Sequence, residues 1–356
     1  MLTLRQKQIF DFIEKKIEQK GIAPTHHEIA RRFRLSSVAT VHEHLQGLEN
    51  KGFLAKKRGQ ARALMPIRAS SPLSLTKTTG AQSVRHDRWS IEKLANRVVE
   101  GDCLSEMDKI PSKSIDMVLC DLPYGTTQNQ WDSIIPLDKL WTHYERIIKD
   151  NGVVVLTAQG LFTARLMLSN PKFFKYKITW IKSKPTNFLN AKKQPLRKHE
   201  DILVFYKNQP TYAPQMSNGE PYNKGFRKDQ LTGSYGDFRT VEVKSNGERY
   251  PTDVVYFKTA ESEGEVYHPT QKPVELGRYL IRTFTKKDDV VLDNACGSGS
   301  FLVAAVLEGR KFIGIEKNQE VYLFKHKKID YIEVSKERVG EAREKLLSQT
   351  RELNFG

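Results

Sequence analysis

The feature that most narrows the folds open to this chain is a short apolar run that stops abruptly on a turn. Residues 115–120 read Ile-Asp-Met-Val-Leu-Cys, and the next five are Asp121-Leu122-Pro123-Tyr124-Gly125. A run of this length bounded by Pro and Gly predicts a buried strand, interrupted only by Asp116. Its carboxyl end brings a carboxylate, a fixed backbone turn and an aromatic ring to one place. The ring can stack on a flat base, while the Asp121 carboxylate and the Leu122 carbonyl can accept both hydrogens of an exocyclic amine. Such acceptors draw the nitrogen lone pair out of conjugation and ready it to attack an electrophile. An ordinary strand and tight turn would leave the same pattern, so the rest of the chain has to decide.

A second strand ends in a turn far downstream. Val290 to Asp293 empties into Asn294-Ala295-Cys296-Gly297-Ser298-Gly299-Ser300-Phe301, and helical spacing resumes with Phe301, Leu302, Ala305 and Val306. Strand, glycine turn and helix together let backbone approach a ligand near a positive helix start. Another strand, Lys311 to Ile315, delivers Glu316 at about the 20-residue spacing that nucleoside-binding folds use for an acid on the ribose hydroxyls. Ahead of the glycine turn stands His268-Pro269-Thr270-Gln271-Lys272-Pro273, leading into a helix through Leu276, Tyr279, Leu280 and Ile281. Further upstream, Arg97 to Asp102 is a brief strand ending in Gly-Asp, followed by an amphipathic segment to Ile110. Trp131 and Asp132 lie on the loop after Gly125. Leu140, Tyr144, Ile147 and Ile148 predict a helix ending near Gly152; Val153 to Thr157, Phe173 to Ile181 and Asp201 to Tyr206 predict strands. Helices alternating with strands indicate an α/β class with a largely parallel sheet.

The order of these motifs, Asp121-Leu122-Pro123-Tyr124, then His268 to Pro273, then Asn294 to Phe301, resembles the permuted β-type DNA amino-methyltransferases that use S-adenosylmethionine. The family usually carries Pro where Leu122 stands, a small departure because the backbone carbonyl is the working group. The resemblance implies a Rossmann-like methyltransferase sheet with circularly permuted motif order. It further implies catalysis by Asp121, Leu122, Pro123 and Tyr124. The cofactor residues it implies are His268, Gln271, Lys272 and Pro273 at the methionine end, the turn Asp293, Ala295, Cys296, Gly297, Ser298 and Gly299, and Glu316 on the ribose. Asp102 is carried over as a contact to the cofactor's adenine, with a helix cap as its alternative. The expected reaction is methylation of the adenine N6 amine, without a metal. Cytosine N4 fits the same acceptors, and a non-catalytic repressor with a degenerate second half is the other alternative. A dehydrogenase reading of the glycine turn falls far behind the three motifs together.

Residues 1–67 read separately. Thr3-Leu4-Arg5-Gln6 and Thr25-His26-His27-Glu28 have capping-box form, and Ile9, Phe10, Ile13 and Ile17 follow the first at helical spacing up to Gly21. Ser36-Ser37 can cap a third helix with Val38, Val41, Leu45 and Leu48 on one stripe before Gly52, and a basic hairpin follows. The segment resembles the DNA-binding domain of LexA-type repressors, a small winged helix-turn-helix. That likeness implies base contacts from Ser37, Thr40 and His44 and phosphate contacts from Lys56, Lys57, Arg58 and Arg62. Contact with a protein is the alternative use of such a domain. His26, His27, His42 and His44 do not fall into a metal-ligand spacing and read as surface residues.

A Ser-, Thr-, Gly- and Lys-rich stretch, 68–94, reads as a flexible linker, and 95–350 as the methyltransferase domain. Within it, residues 183–267 lose their periodicity and read as an irregular target-recognition insertion, with Lys192, Lys193 and Arg197 as DNA contacts. The formal charge of +16, from 58 Lys+Arg against 42 Asp+Glu, fits a polyanionic partner such as double-stranded DNA. The absence of a long apolar stretch or secretory start predicts a cytoplasmic protein with no membrane partner. Three scattered cysteines argue against a disulfide framework. The resemblance leaves open two further partners, a second copy of the chain and a separately encoded restriction endonuclease.

Overall fold

Two units divide the chain, Met1–Ser83 and Val84–Gly356. The computed structural model describes residues 3–355 except 21–22, 34, 36, 51–53, 57–63, 67–89, 126–133, 228–229, 233–235, 319–321 and 325–326. The division falls inside the stretch read as a linker, of which residues 68–89 lie outside the described residues; its end is no linker, because residues 91–94 form a helical turn that buries Leu94 in the core of the second unit. Trp131, Asp132, Lys57, Arg58 and Arg62 also lie outside them.

The first unit contains α1 (Leu4–Lys20), α2 (His26–Phe33), α3 (Val38–Asn50) and an antiparallel ribbon of β1 (Leu54–Lys56) and β2 (Leu64–Pro66). Both capping boxes close. Thr3 Oγ1 accepts from Gln6 N at 3.2 Å while Thr3 N donates to Gln6 Oε1 at 3.1 Å. Thr25 and Glu28 repeat the exchange at 3.2 and 2.7 Å, which satisfies helix-end donors that would otherwise lack partners. Ile9, Ile13, Ile29, Val41 and Leu48 are fully buried between the helices. Burying each such side chain stabilises by roughly 1.5–3 kcal/mol.

The second unit begins with α4 (Ile91–Leu94), β3 (Arg97–Glu100), α5 (Cys103–Asp108), β4 (Ile115–Cys120), α6 (Leu137–Ile147), β5 (Ile148–Ala158), α7 (Leu161–Ser169), β6 (Phe174–Thr186) and β7 (Arg197–Phe205). An insertion follows, made of β8 (Ser217–Asn218), β9 (Tyr222–Arg227), β10 (Gln230–Thr232), β11 (Gly236–Phe238), β12 (Val241–Ser245) and β13 (Glu248–Arg249). Then come β14 (Val254–Phe257), α8 (Val274–Phe284), β15 (Val290–Asp293), α9 (Ser300–Leu307), β16 (Lys311–Glu316), β17 (Tyr322–Phe324), β18 (Lys327–Ile329) and α10 (Tyr331–Phe355).

One eight-stranded sheet runs β14-β6-β7-β5-β4-β15-β16-β3. Only β7 is antiparallel to its neighbours; the remaining pairs are parallel. Period-two alternation from Met117 to Cys120, after a register shift between Ile115 and Met117 that returns Ile115 to the other face, explains how one strand serves two cores. In β4, Ile115, Val118 and Cys120 pack with α5, α6 and α7, whereas Met117 and Leu119 pack with α8, α9 and α10. The sheet is therefore covered by helices on both faces. Asp116, the polar break in the run, holds the edge of the next strand: its Oδ2 accepts from Val290 N at 2.9 Å and its Oδ1 meets Lys149 at 2.7 Å.

Three expectations need correcting. The helix read as ending near Gly152 stops at Ile147, and Ile148 already belongs to β5, which runs through Gly152. A Cβ at Gly152 would lie 2.8 Å from the Asp116 carbonyl oxygen, so the glycine serves close strand approach and not a helix stop. The insertion is not irregular. β9 pairs with β12, β10 with β11 and β8 with β13, all antiparallel. Exposure of most of β9 on both faces removes the alternation by which a strand is recognised. The third is β14, which joins the main sheet at its edge although nothing in 254–257 was read as a strand.

Candidate active site

β4 and β15 lie side by side and parallel, with Val291 opposite Met117 and Leu292 opposite Val118. Asp121 and the glycine turn therefore leave the same edge of the sheet, where open α/β sheets form clefts. A cleft of about 890 Å³ opens there, lined by Asp121, Leu122, Pro123 and Tyr124 on one side and by Asp293, Ala295, Cys296, Gly297, Ser298 and Glu316 on the other. Asp102, His268, Gln271 and Lys272 line it as well.

Asp121 is the centre of a partly buried charge cluster. Its Oδ1 accepts from the Tyr124 hydroxyl at 2.8 Å and from the Thr157 hydroxyl, while its Oδ2 accepts from Lys272 Nζ at 2.6 Å. Lys272, 7% exposed, also approaches Glu200 Oε2 at 3.4 Å. Glu200 reaches Lys182 Nζ through Oε1 at 3.1 Å and stands 3.5 Å from the Tyr124 hydroxyl. Burial alone would lower the Lys272 pKa, but Asp121 and then Glu200 outweigh it and hold the ammonium above its ordinary value. Burial, reinforced by Asp121 and Glu200, raises the Tyr124 phenol, which stays a neutral donor. One face of the Tyr124 ring lies on Phe162, with centroids 5.1 Å apart and planes 29° from parallel.

The opposite wall is a backbone cradle. Gly297 N donates to Glu316 Oε2 at 2.8 Å, and Lys317 N donates to Glu316 Oε1 at 3.1 Å. Gly297 has φ +49°, and a Cβ built on it meets no atom within 4 Å, so the turn is open space bounded by peptide groups. Burial raises the Glu316 carboxyl, with the Gly297 N–H pulling the other way. Burial pushes Asp293 up to about 7, against a hydrogen bond from the Cys120 thiol. Burial lowers His268 to about 4, opposed by Asp121, so its imidazole is neutral at physiological pH. Gln271 Oε1 ties this strap to the cradle by accepting from Ser298 Oγ at 3.0 Å.

Several residues sit differently from their expected places. Lys272 points its ammonium at Asp121, on the side of the cleft opposite the cradle. Pro273 and Gly299 do not line the cleft: Pro273 caps α8, and Gly299, at φ +77°, caps α9 with its Cα packed on Ser335. Asp102 lines the cleft but is also the N-cap of α5, accepting from Leu104 N at 3.1 Å, while its Oδ2 lies 3.8 Å from Lys317. Ser37 spends its hydroxyl on Thr40 N at 3.2 Å as the cap of α3; His44 is half-buried further along that helix. Lys56 is on β1. Lys192 and Lys193 are exposed beyond a turn, and of the three insertion cations only Arg197 reaches the cleft. Glu200, Lys182, Thr157 and Phe162 were not foreseen. The only local trace of Glu200 is an acid standing directly before the buried run Asp201 to Phe205.

Comparison with known proteins follows the same division. The LexA DNA binding domain model matches residues 1–63, and the DNA methylase model for N6/N4 methyltransferases matches residues 115–325. The DNA adenine methyltransferase YhdJ of Escherichia coli K12 is 29% identical over 241 residues, covering 64% of this chain and 80% of that protein. The type II methyltransferase M2.MboI of Moraxella bovis is 27% identical over 269 residues, covering 68% of this chain and 87% of the relative. The solved complex of M1.HpyAVI with SAM overlaps 68% of this chain and 98% of its own, at 20% identity and a TM-score of 0.47. With more than half its length under that one model, the chain belongs to the N6/N4 DNA methylase family.

Proposed function

We propose that this protein is a site-specific methyltransferase that moves the methyl group of S-adenosylmethionine to the N6 amine of adenine in double-stranded DNA. The observation that carries the reading is the single cleft shared by the Asp121–Tyr124 turn and the Gly297 cradle. Adenine is favoured by the relative named as a DNA adenine methyltransferase and by Asp, where cytosine-directed members more often begin the motif with Ser. The catalytic turn precedes the glycine turn in the chain, which supports the β-type permuted group. Three helices and an antiparallel ribbon under a LexA match support a winged-helix DNA-binding unit.

The residues present fit S-adenosylmethionine: Glu316 would hold the ribose, the open turn at Gly297 the backbone side of the cofactor, and the His268–Lys272 strap its methionine end. When bound, that group supplies an electrophilic methyl on a sulfonium. The chain's own contribution is placement and amine polarisation. Asp121 Oδ1 already takes two donors, whereas Oδ2 takes Lys272 alone and keeps a lone pair for an amine hydrogen. The Leu122 carbonyl takes the second hydrogen, and Tyr124, backed by Phe162, stacks on the base once it has left the duplex. With the cofactor bound, methyl transfer would leave the amine nitrogen cationic, and the Asp121 carboxylate is placed to offset that charge until the proton passes to water.

The test is to incubate the purified protein with genomic DNA and S-adenosylmethionine, digest to nucleosides and identify the product by mass. N6-methyladenine is expected, and its loss in Asp121→Ala ties it to this cleft. N4-methylcytosine would instead establish the rival base, and no methylated nucleoside would leave a DNA-binding protein without turnover. Sequencing of modified bases in DNA from expressing cells then gives the target site.

A further inference from the structure

The hairpin joining β6 to β7 has a composition that the catalytic reading does not use. Between Lys182 and Glu200 it carries Lys184, Lys192, Lys193, Arg197 and Lys198 and no Asp or Glu. All five cations are exposed. At the tip, a single 3-10 turn begins after Asn187, whose left-handed φ of 70° reverses the chain. That turn holds Phe188 and Leu189 at 74% and 85% exposure, and Leu189 is the most exposed large apolar side chain among the described residues. Isolated apolar groups on a surface are ordinary. Two adjacent ones set in a segment that carries five cations and no acid of its own are a different arrangement.

The position of the tip is anchored to the cleft. Asn187 and Asn190, on either side of the apolar pair, line the same cleft as Asp121 and Tyr124. Lys182 Nζ donates to Thr186 Oγ1 at 3.3 Å and to Glu200 Oε1 at 3.1 Å, and Glu200 lies 3.5 Å from the Tyr124 hydroxyl. The root of the hairpin and the base-stacking ring are thus joined through one buried ion pair.

Extruding a base leaves a gap in the stack, and proteins that distort DNA fill such gaps with apolar side chains while cations hold the flanking phosphates. We propose that Phe188 and Leu189 form a wedge that enters the duplex where the target base leaves it, with Lys184, Lys192 and Lys193 on the adjoining phosphates. The inference rests on the methyltransferase reading. It assigns the tip a task separate from chemistry: keeping the duplex open while the base occupies the cleft.

The test compares the wild-type protein with a Phe188→Ala, Leu189→Ala double variant and a conservative Phe188→Leu, Leu189→Met double variant. Two duplexes carry the mapped target site, one fully paired and one with an abasic site opposite the target base, which is already partly open. The alanine variant is expected to lose about tenfold or more in kcat/KM on the paired duplex and less than about threefold on the pre-opened one, with the conservative variant close to wild type on both. S-adenosylmethionine affinity, equal in all three, confirms that the cleft is folded. A loss of the same size on both duplexes, or no loss, overturns the wedge. Wild-type protein inactive on both duplexes would instead overturn the methyltransferase reading beneath it.

Discussion

Replacing Lys272 by Met removes the buried cation between two partly buried carboxylates while keeping most of the side-chain volume. Lys272 Nζ lies 2.6 Å from Asp121 Oδ2 and 3.4 Å from Glu200 Oε2. At an effective dielectric of about 20 these separations correspond to gross attractions of about 6 and 5 kcal/mol. Burying three charged groups opposes this by several kcal/mol for each ion, so the pair energies do not convert directly into stability. Truncating one partner of a buried ion pair characteristically costs about 3–5 kcal/mol, because the remaining charge is left uncompensated. With a domain stability of about 5–15 kcal/mol, the variant should fold but unfold at clearly lower urea. The two carboxylates it leaves then face one another with no cation between them. Urea titrations followed by circular dichroism measure this, and methylation rates of the same variant report whether turnover survives the loss of the cation. An unfolding free energy within about 0.5 kcal/mol of wild type would refute the account, since that is the range of an uninvolved surface substitution.

Three further outcomes follow from the geometry. Tyr124→Phe keeps the ring on Phe162 but loses the bonds to Asp121 and Glu200, so turnover should fall about tenfold, whereas Tyr124→Ala should fall about a hundredfold or more; single-turnover methylation separates the two. Asp293, raised by burial from 3.8 to about 7, retains a proton in the folded state that the unfolded chain has released. Its contribution is therefore full below about pH 4 and lost as pH rises through about 7, so Asp293→Asn should gain stability over wild type at pH 8 but not at pH 4, read by denaturant titration without cofactor. Gly299→Ala puts a Cβ 2.8 Å from Ser335 Cβ at a φ of +77°, which should lower stability by about 1–3 kcal/mol in thermal melts and weaken S-adenosylmethionine binding by displacing the turn.

The sequence by itself determined the local units. The apolar run before Asp121, the glycine turn after Asp293 and the two capping boxes are short-range patterns, and each became the element its pattern predicts. Backbone sterics, burial and helix-end hydrogen bonding act over a few residues, so those elements are legible from a few residues. Tertiary structure decided what they meet. Lys272 reaches Asp121 across 151 positions and Tyr124 reaches Glu200 across 76, and no periodicity encodes such a pairing. It also decided that Lys272 serves the carboxylate cluster, that Gly152 lies inside a strand, and that the described part of the insertion pairs as short antiparallel strands. In each case the deciding contact is with a neighbour distant in sequence, or the strand has no buried face to mark it.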